Sequence, residues 1–474
     1  MDRLPPELLD LIVGYCNYSS LKALRSVNQS FNEVATAGVF EQVFIAPCTF
    51  FETLENLNAL IQSPQKLAQH IKKLTFYADI LPPWDRHEWE AKASKKPNVD
   101  AKRLDDSWPK YQALCNKQSE WFFGNDQYVL AFKELLSSLP KLREATVGIA
   151  EPFQGSTSRW PVWSRLKTHI LVSPEDWIFD EEADYRWNEN RMAQTTRATL
   201  NLLEAIGFRA SFAGTSHVQT VSVRSMNNGR LKSLLAGRTQ DGTGLDIPPN
   251  ILTRFQTLLG AFANLTSLDL QIPQPVRETS HMLPQSEQIY LLQLTGLEVC
   301  AILAAASNLK RLRFEFDSES GVFWEPGQEN IHPLSCFFQD HEEPWPALED
   351  LTLSVNMPYT LLLSFLSRLA GTLRRLDLRD MCVYDAQALF ACLPNVVRLE
   401  DIYIECLWTK INMEFANVNA PPTTCILCEG LDADEPYEKQ LKAYLLGRSD
   451  QFPKLTGNEF LSDEELDELA AGMG

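Results

Sequence analysis

Nowhere in the chain do about 18 apolar residues run together, the length a helix needs to cross a bilayer, so no transmembrane helix is expected. A secretory leader is not indicated either, because Asp2 and Arg3 lead into prolines and acids before any long apolar run. Basic residues are scarce: 43 Lys and Arg stand against 62 Asp and Glu, a formal net charge of −19. That balance argues against a general nucleic-acid or anionic-membrane binder and favours basic partners. The expectation is an intracellular protein, cytoplasmic and/or nuclear, with no nucleic acid and no membrane among its partners.

Catalytic signatures are missing as well. The seven histidines, His70, His87, His169, His217, His281, His332 and His341, are scattered, and none forms the paired-His helix of a zinc hydrolase. No phosphate-cradling Gly-rich loop with its Lys, no nucleophile elbow and no dinucleotide fingerprint is present. Ten cysteines are distributed singly among hydrophobics, as in Val299-Cys300-Ala301, apart from Cys425 and Cys428. Reduced core thiols are the natural reading. Cys425-Ile426-Leu427-Cys428 lacks the second ligand pair that a structural zinc or a RING needs, and reads as a buried strand. No enzyme activity, cofactor or metal is expected.

What the chain does have is apolar mass. At 474 residues with 45% hydrophobic side chains it is a folded protein, too long for one core, so two regions or an elongated repeat are expected. The opening "LPPELLDLIVGYC" starts a helix at Pro5 and Pro6, where the fixed φ suits the first turn and the missing N–H costs nothing. Leu8, Leu11, Ile12 and Tyr15 then fall on one face, and Leu9, Val13 and Cys16 on a second. A short helix with Leu21, Leu24 and Val27 follows, capped by Ser19 or Ser20, and then a third with Phe31, Val34 and Ala35. Roughly forty residues cannot bury that much apolar surface alone, so the surplus must dock on the rest of the chain, as in an ordinary N-terminal helical cap, on a partner, or on both.

This ordered pattern, Leu4-Pro5-Pro6-Glu7-Leu8-Leu9, Ile12, Tyr15, Ser20 to Arg25 and Val27 to Phe31, resembles an F-box, with Phe31 where that family usually has Trp. The resemblance implies docking on the Skp-type adaptor of a cullin ubiquitin ligase. By motif position it implies adaptor contacts from Leu4, Pro5, Leu8, Leu9, Ile12, Leu21, Leu24 and Val27.

Downstream a six-residue pattern recurs, apolar-x-x-apolar-x-apolar: "LTSLDL" from Leu265, "LKRLRF" from Leu309, "LEDLTL" from Leu348, "LRRLDL" from Leu373 and "LEDIYI" from Leu399. Weaker copies begin at Ile71, Leu142 and Val218. Between them lie helix-like stretches such as "VLAFKELLSSLP", "ILTRFQTLLGAFA" and "TLLLSFLSRLAG". Strands joined by helical crossovers must be parallel and right-handed. The series resembles leucine-rich repeats, although only the last two intervals are regular and the family's Asn ladder is absent. The fold class expected is α/β: a three-helix F-box over 1–45, an irregular leucine-rich-repeat-like solenoid over 46–430, and an acidic tail over 431–474. An ordinary α/β domain is the alternative.

Three long insertions, near 79–120, 151–195 and 317–346, are rich in tryptophan, which suits ordered flaps with aromatic anchors or loops simply packed down. If the repeat leucines face inward, the residues between them align on the other face. One row reads Thr75, Thr146, Ser222, Asp269, Arg313, Thr352, Asp377 and Tyr403; the next reads Tyr77, Gly148, Arg224, Gln271, Glu315, Ser354, Arg379 and Glu405. Arg, Asp, Tyr and Glu together suit a protein or peptide epitope, so Asp269, Gln271, Arg313, Glu315, Thr352, Asp377, Arg379, Tyr403 and Glu405 are the candidate substrate contacts. The expected function is substrate recognition in a Skp–cullin–F-box ubiquitin ligase, with an unidentified protein substrate. A scaffold that binds the adaptor without promoting ubiquitination and an enzyme concealed in the α/β body are the rivals.

Overall fold

A computed structural model describes residues 6–63, 67–123, 127–148, 161–173, 176, 185–211, 217–224, 226, 231–235, 249–272, 285–316, 332–338, 345–383, 386–410, 423–427 and 436–451. The chain divides into two compact units, one of residues 1–225 and 232–261 and the other of 226–231 and 262–474. The expected body over 46–430 is therefore split between two units, and the opening helices belong with the first.

In the first unit three helices come first: α1 (Pro6–Gly14), α2 (Tyr18–Leu24) and α3 (Gln29–Val39). The cap of α2 is Asn17, whose side chain accepts from the Ser20 backbone N–H, so Ser19 and Ser20 lie inside the helix. Asn28 caps α3 in the same way, accepting from Phe31. Both asparagines satisfy a donor that the first turn of a helix leaves open. Strands β1 (Gln42–Ile45), β2 (Lys73–Tyr77), β3 (Glu144–Gly148) and β4 (Thr220–Val223) come next, parallel and in sequence order. Three of these are the weaker copies of the repeat; β1 carries the same spacing, Phe40-x-x-Val43-x-Ile45, in register with the Ile71 copy, and was not among the copies expected.

The connecting helices are α4 (Phe50–Ile61), α5 (Arg86–Ala93), α6 (Ala101–Phe123), α7 (Gln127–Ser137), α8 (Pro161–Ile170), α9 (Tyr185–Ala210) and α10 (Pro249–Leu259). Helices α9 and α10 cross at Gly207, where a β-carbon would sit 1.8 Å from the Thr257 carbonyl oxygen, so only glycine fits. Buried Arg209 donates to the carbonyls of Leu136 (2.9 Å) and Leu139 (2.8 Å), closing the C-terminus of α7.

The second unit carries β5 (Ser267–Ile272), β6 (Arg311–Phe316), β7 (Asp350–Val355), β8 (Arg375–Val383) and β9 (Asp401–Lys410), again parallel and in order. Its helices are α11 (Gln285–Ala305), the single turn α12 (Ser335–Phe338), α13 (Tyr359–Arg368), α14 (Ala386–Val396) and α15 (Pro436–Leu445). The repeat leucines form two buried ladders: Leu268, Leu312, Leu351, Leu376 and Ile402, then Leu270, Phe314, Leu353, Leu378 and Ile404. Each such side chain contributes roughly 1.5–3 kcal/mol on leaving water.

Two features depart from the expected repeat. Strand β10 (Thr423–Leu427) pairs antiparallel with β9, a neighbour it can reach without a helical crossover. In β8, Asp380 adopts a φ of +44° and shifts the alternation by one, returning Met381 and Val383 to the buried side. Asp tolerates that left-handed conformation better than most residues.

The last helix is not part of a free tail. Leu441 and Leu445 are buried, Lys442 pairs with Asp401 at 3.3 Å, and the Tyr444 hydroxyl donates to the Ala391 carbonyl. The acidic segment with Leu461, Leu466 and Leu469 lies outside the described residues.

Candidate functional site

The opening helices separate their two apolar faces as the spacing predicts. Leu9 is buried, and Val13, Cys16, Leu24 and Phe40 pack on a small core of Leu21, Ala35 and Val39. The other face of α1 is bare: Leu8 is 45% exposed, Leu11 56% and Tyr15 86%, with Ile12 and, after α2, Val27 exposed too. Leu9 and Leu21 thus serve packing within the unit, which corrects their expected place on an outward docking face. Leu11 and Tyr15 are exposed beside Leu8 instead, as their helical spacing from it implies. Leu4 and Pro5 lie outside the described residues.

The second candidate surface is the polar face of the strands in the second unit. Pairing aligns Asp269, Arg313, Thr352, Asp377 and Tyr403 in one row, each half-buried. In the next row Gln271 pairs with Glu315 and Glu315 with Ser354, while Arg379 pairs with Glu405. Arg379 is the best-held group. It binds Asp377 in a fork, Nε at 2.9 Å from both carboxylate oxygens and Nη2 at 2.8 Å from Oδ2, and its Nη1 lies 3.3 Å from Glu405. The guanidinium sits 4.9 Å from the centre of the Tyr403 ring. The Asp377 hydrogen bond holds the guanidinium above its ordinary pKa, and partial desolvation together with Glu405 raises the Tyr403 hydroxyl.

Arg313 approaches Asp269 less closely, at 3.9 Å. Across these two rows Asp269, Glu315, Asp377 and Glu405 outnumber Arg313 and Arg379. The surface is polar, pre-ordered and acidic, and so suited to a partner bearing basic groups. Gln271 departs from expectation. It is 7% exposed, on a strand whose last three residues are all buried, so it is packed rather than presented.

In the first unit the equivalent rows are closed at β1 and β2, whereas Thr146 and Gly148 on β3 and Ser222 and Arg224 on β4 stay half-buried. Phe44 and Tyr77 stack at 6.0 Å, and the insertion after β2 folds over them with Trp89, Tyr111, Leu81 and Leu104. Trp89 is fully buried and donates from Nε1 to the Ile170 carbonyl at 3.1 Å, while the Tyr111 hydroxyl donates to Pro82. A capping box between Asp85 and Glu88 starts α5, and the Gln118 side chain bonds both the N–H and the carbonyl of Leu81, at 2.6 and 2.9 Å. These tryptophans pack their insertion down, which settles the choice between anchor and packing for Trp89; Trp345 of the third insertion is buried as well. Trp160, Trp177 and Trp324 lie outside the described residues.

Buried Glu204 braces helices. Glu204 lies between Lys133 at 2.7 Å and Arg254 at 2.8 Å, all within the first unit. His332 accepts from the Leu334 N–H through Nδ1 at 3.2 Å and places Nε2 3.0 Å from the Asn356 carbonyl, and burial lowers its pKa to about 4. Cys425 lies on β10, and Cys428 lies outside the described residues. Among the described residues no group of three or more His, Cys, Asp or Glu is arranged to hold a metal ion, and no helix is long and apolar enough to cross a membrane. The chain matches no protein-family model, and a search of curated proteins finds none significantly similar to it.

Proposed function

We propose that the chain is the substrate-recognition subunit of a Skp–cullin–F-box ubiquitin ligase, with α1 to α3 as the F-box and the strand-and-helix body as an irregular leucine-rich-repeat-like receptor. The observation that carries this reading is the bare apolar face of α1. Its own bundle is complete on the side of Leu9 and Leu21, so Leu8, Leu11, Ile12, Tyr15 and Val27 are surplus to folding. Contiguous exposed apolar surface of this kind marks a docking site. The occupant proposed for it is the Skp-type adaptor, because the residues stand in the F-box order.

The protein substrate then lies against the polar face around Asp269, Arg313, Glu315, Thr352, Asp377, Arg379, Tyr403 and Glu405. The chain supplies no reacting group; it holds the substrate near a transferring enzyme docked elsewhere, and the rate gain comes from proximity.

The test is the double variant Leu8→Asp, Ile12→Asp. Both side chains are exposed, so far-ultraviolet circular dichroism should be unchanged while co-purification with the adaptor is lost. Retained adaptor binding by the folded variant would overturn the proposal.

A further inference from the structure

Ten cysteines in a chain with no indicated redox chemistry are easily dismissed as filler, yet two of them meet. Helix α11 passes the turn α12 and the residues before it at unusually short range. At Gly296 a β-carbon would lie 2.1 Å from the Pro333 carbonyl oxygen, so the missing side chain is what lets the two segments touch. One helical turn beyond Gly296 stands Cys300, and three residues beyond Pro333 stands Cys336. The Cys336 side chain is the largest influence on the Cys300 thiol, so the two sulfurs are neighbours at this crossing. One turn further, at Leu303, the carbonyl accepts from Trp345 Nε1 at 3.3 Å, and the Trp345 ring packs on Phe337 with 4.8 Å between centres. The contact between the cysteines is thus bracketed on both sides by close packing within the second unit.

We propose that Cys300 and Cys336 are an oxidisable thiol pair that closes to an intramolecular disulfide, covalently fastening residues 332–338 to α11. The two differ in the way such a pair requires. Cys336 is partly exposed and is the sulfur an oxidant meets; Cys300 is buried, and the Cys336 hydrogen bond and burial together hold its thiol far above the ordinary pKa, so it does not react first.

With hydrogen peroxide as oxidant, the Cys336 thiolate attacks one peroxide oxygen and the O–O bond breaks. This leaves a sulfenic acid on Cys336, and hydroxide departs. The Cys300 sulfur then attacks the Cys336 sulfur, the S–O bond breaks, and the oxygen leaves as water with the Cys300 proton. Two thiols lose two electrons and two protons, and one peroxide becomes two waters.

Closure acts on the anchor of the third insertion. Phe337 and Phe338 pack with Trp345 and Phe365 in an aromatic cluster, Phe338 against Phe365 at 4.6 Å, and Arg368 donates to the Phe338 carbonyl. A cross-link here removes the opening of that turn as a local unfolding step.

The full-length protein is treated with hydrogen peroxide, its remaining thiols are alkylated after denaturation, and the digest is read by mass spectrometry. A peptide pair joined through Cys300 and Cys336, two mass units lighter than the reduced pair and lost with dithiothreitol, is expected. Amide exchange across 332–338 should slow after oxidation. In Cys300→Ser, Cys336 should instead accumulate a sulfenic acid trapped by a dimedone-type probe. Recovery of both cysteines as alkylated thiols, of Cys336 joined to another cysteine, or of sulfinic and sulfonic acids without the joined pair would overturn the proposal. That readout needs only the unsubstituted protein.

Discussion

On β1 and β2 of the first unit the strand residues opposite the buried ladder are Phe44, Thr75 and Tyr77; on the strands of the second unit they include Asp269, Arg313, Asp377 and Arg379. The backbone plan is the same, parallel strands in sequence order, yet one surface is roofed and the other carries paired charges. Between β2 and β7 the difference lies in the segment that leaves the strand. After β2 the chain supplies α5 and α6, whose Trp89, Trp108 and Tyr111 cover aromatic strand residues that water would otherwise meet. After β7 it turns at Asn356, Met357 and Pro358 straight into α13. A roof is needed where the face is apolar. Charges paired as Arg379 is with Asp377 and Glu405 need none.

The largest expected effect lies under the roof. Trp89→Ala removes a fully buried ring that contacts Trp108 and Tyr111 and orphans the Ile170 carbonyl. Truncations of this kind cost about 3–5 kcal/mol. Denaturant unfolding of the variant should show that loss, with exchange protection falling over β2 and α5. If stability changed by less than about 1 kcal/mol, the insertion would be an appended flap rather than part of the core.

How much of this contrast was written in the sequence depends on how local its cause is. The strands from β5 to β9 were readable because Leu-x-x-Leu-x-Leu carries both the period of two and the side that is buried. The row alignment came with it, and Asp269, Arg313, Thr352, Asp377 and Tyr403 do pair in sequence. The two faces of α1 were readable for the same reason at the helical period. The fate of Trp89 was not, since its hydrogen bond goes to Ile170, 81 residues away, and nothing near "HEWEAK" names that partner. Gln271 was misplaced because burial extends over the last three residues of β5, where a strict alternation would expose it. The cap of α2 was missed in favour of serine although asparagine caps equally well, and no cap was named for α3.

An acid titration sharpens the comparison from the other side. One buried titratable residue of the second unit is His332, neutral in the fold because burial lowers its pKa to about 4 from 6.5. Between those values the unfolded chain binds a proton that the folded chain does not, so stability falls as pH drops below about 6.5 and the loss is complete below about 4. The full difference amounts to roughly 3 kcal/mol. Exchange protection at 332–338 and in β7 should therefore weaken between pH 7 and 4.5 more than protection in β2, and His332→Asn should flatten that dependence. Equal weakening of β2 would show that acid acts elsewhere.

The smallest expected effect is on the bare face. Arg379 makes four polar contacts and covers a tyrosine ring, a partner list as long as many core residues have. Its side chain is nevertheless 37% exposed, and an ion pair there is screened by water and costs side-chain entropy to hold. Arg379→Ala should shift the denaturant midpoint by the equivalent of less than about 1 kcal/mol. The adaptor co-purification proposed for α1 should be unchanged, because Arg379 does not belong to the unit that carries α1. A loss as large as that of Trp89→Ala would mean the charged row holds the second unit together as the aromatic roof holds the first. A small loss leaves the row's pre-ordered charges to be explained by what binds them, since folding does not require their arrangement.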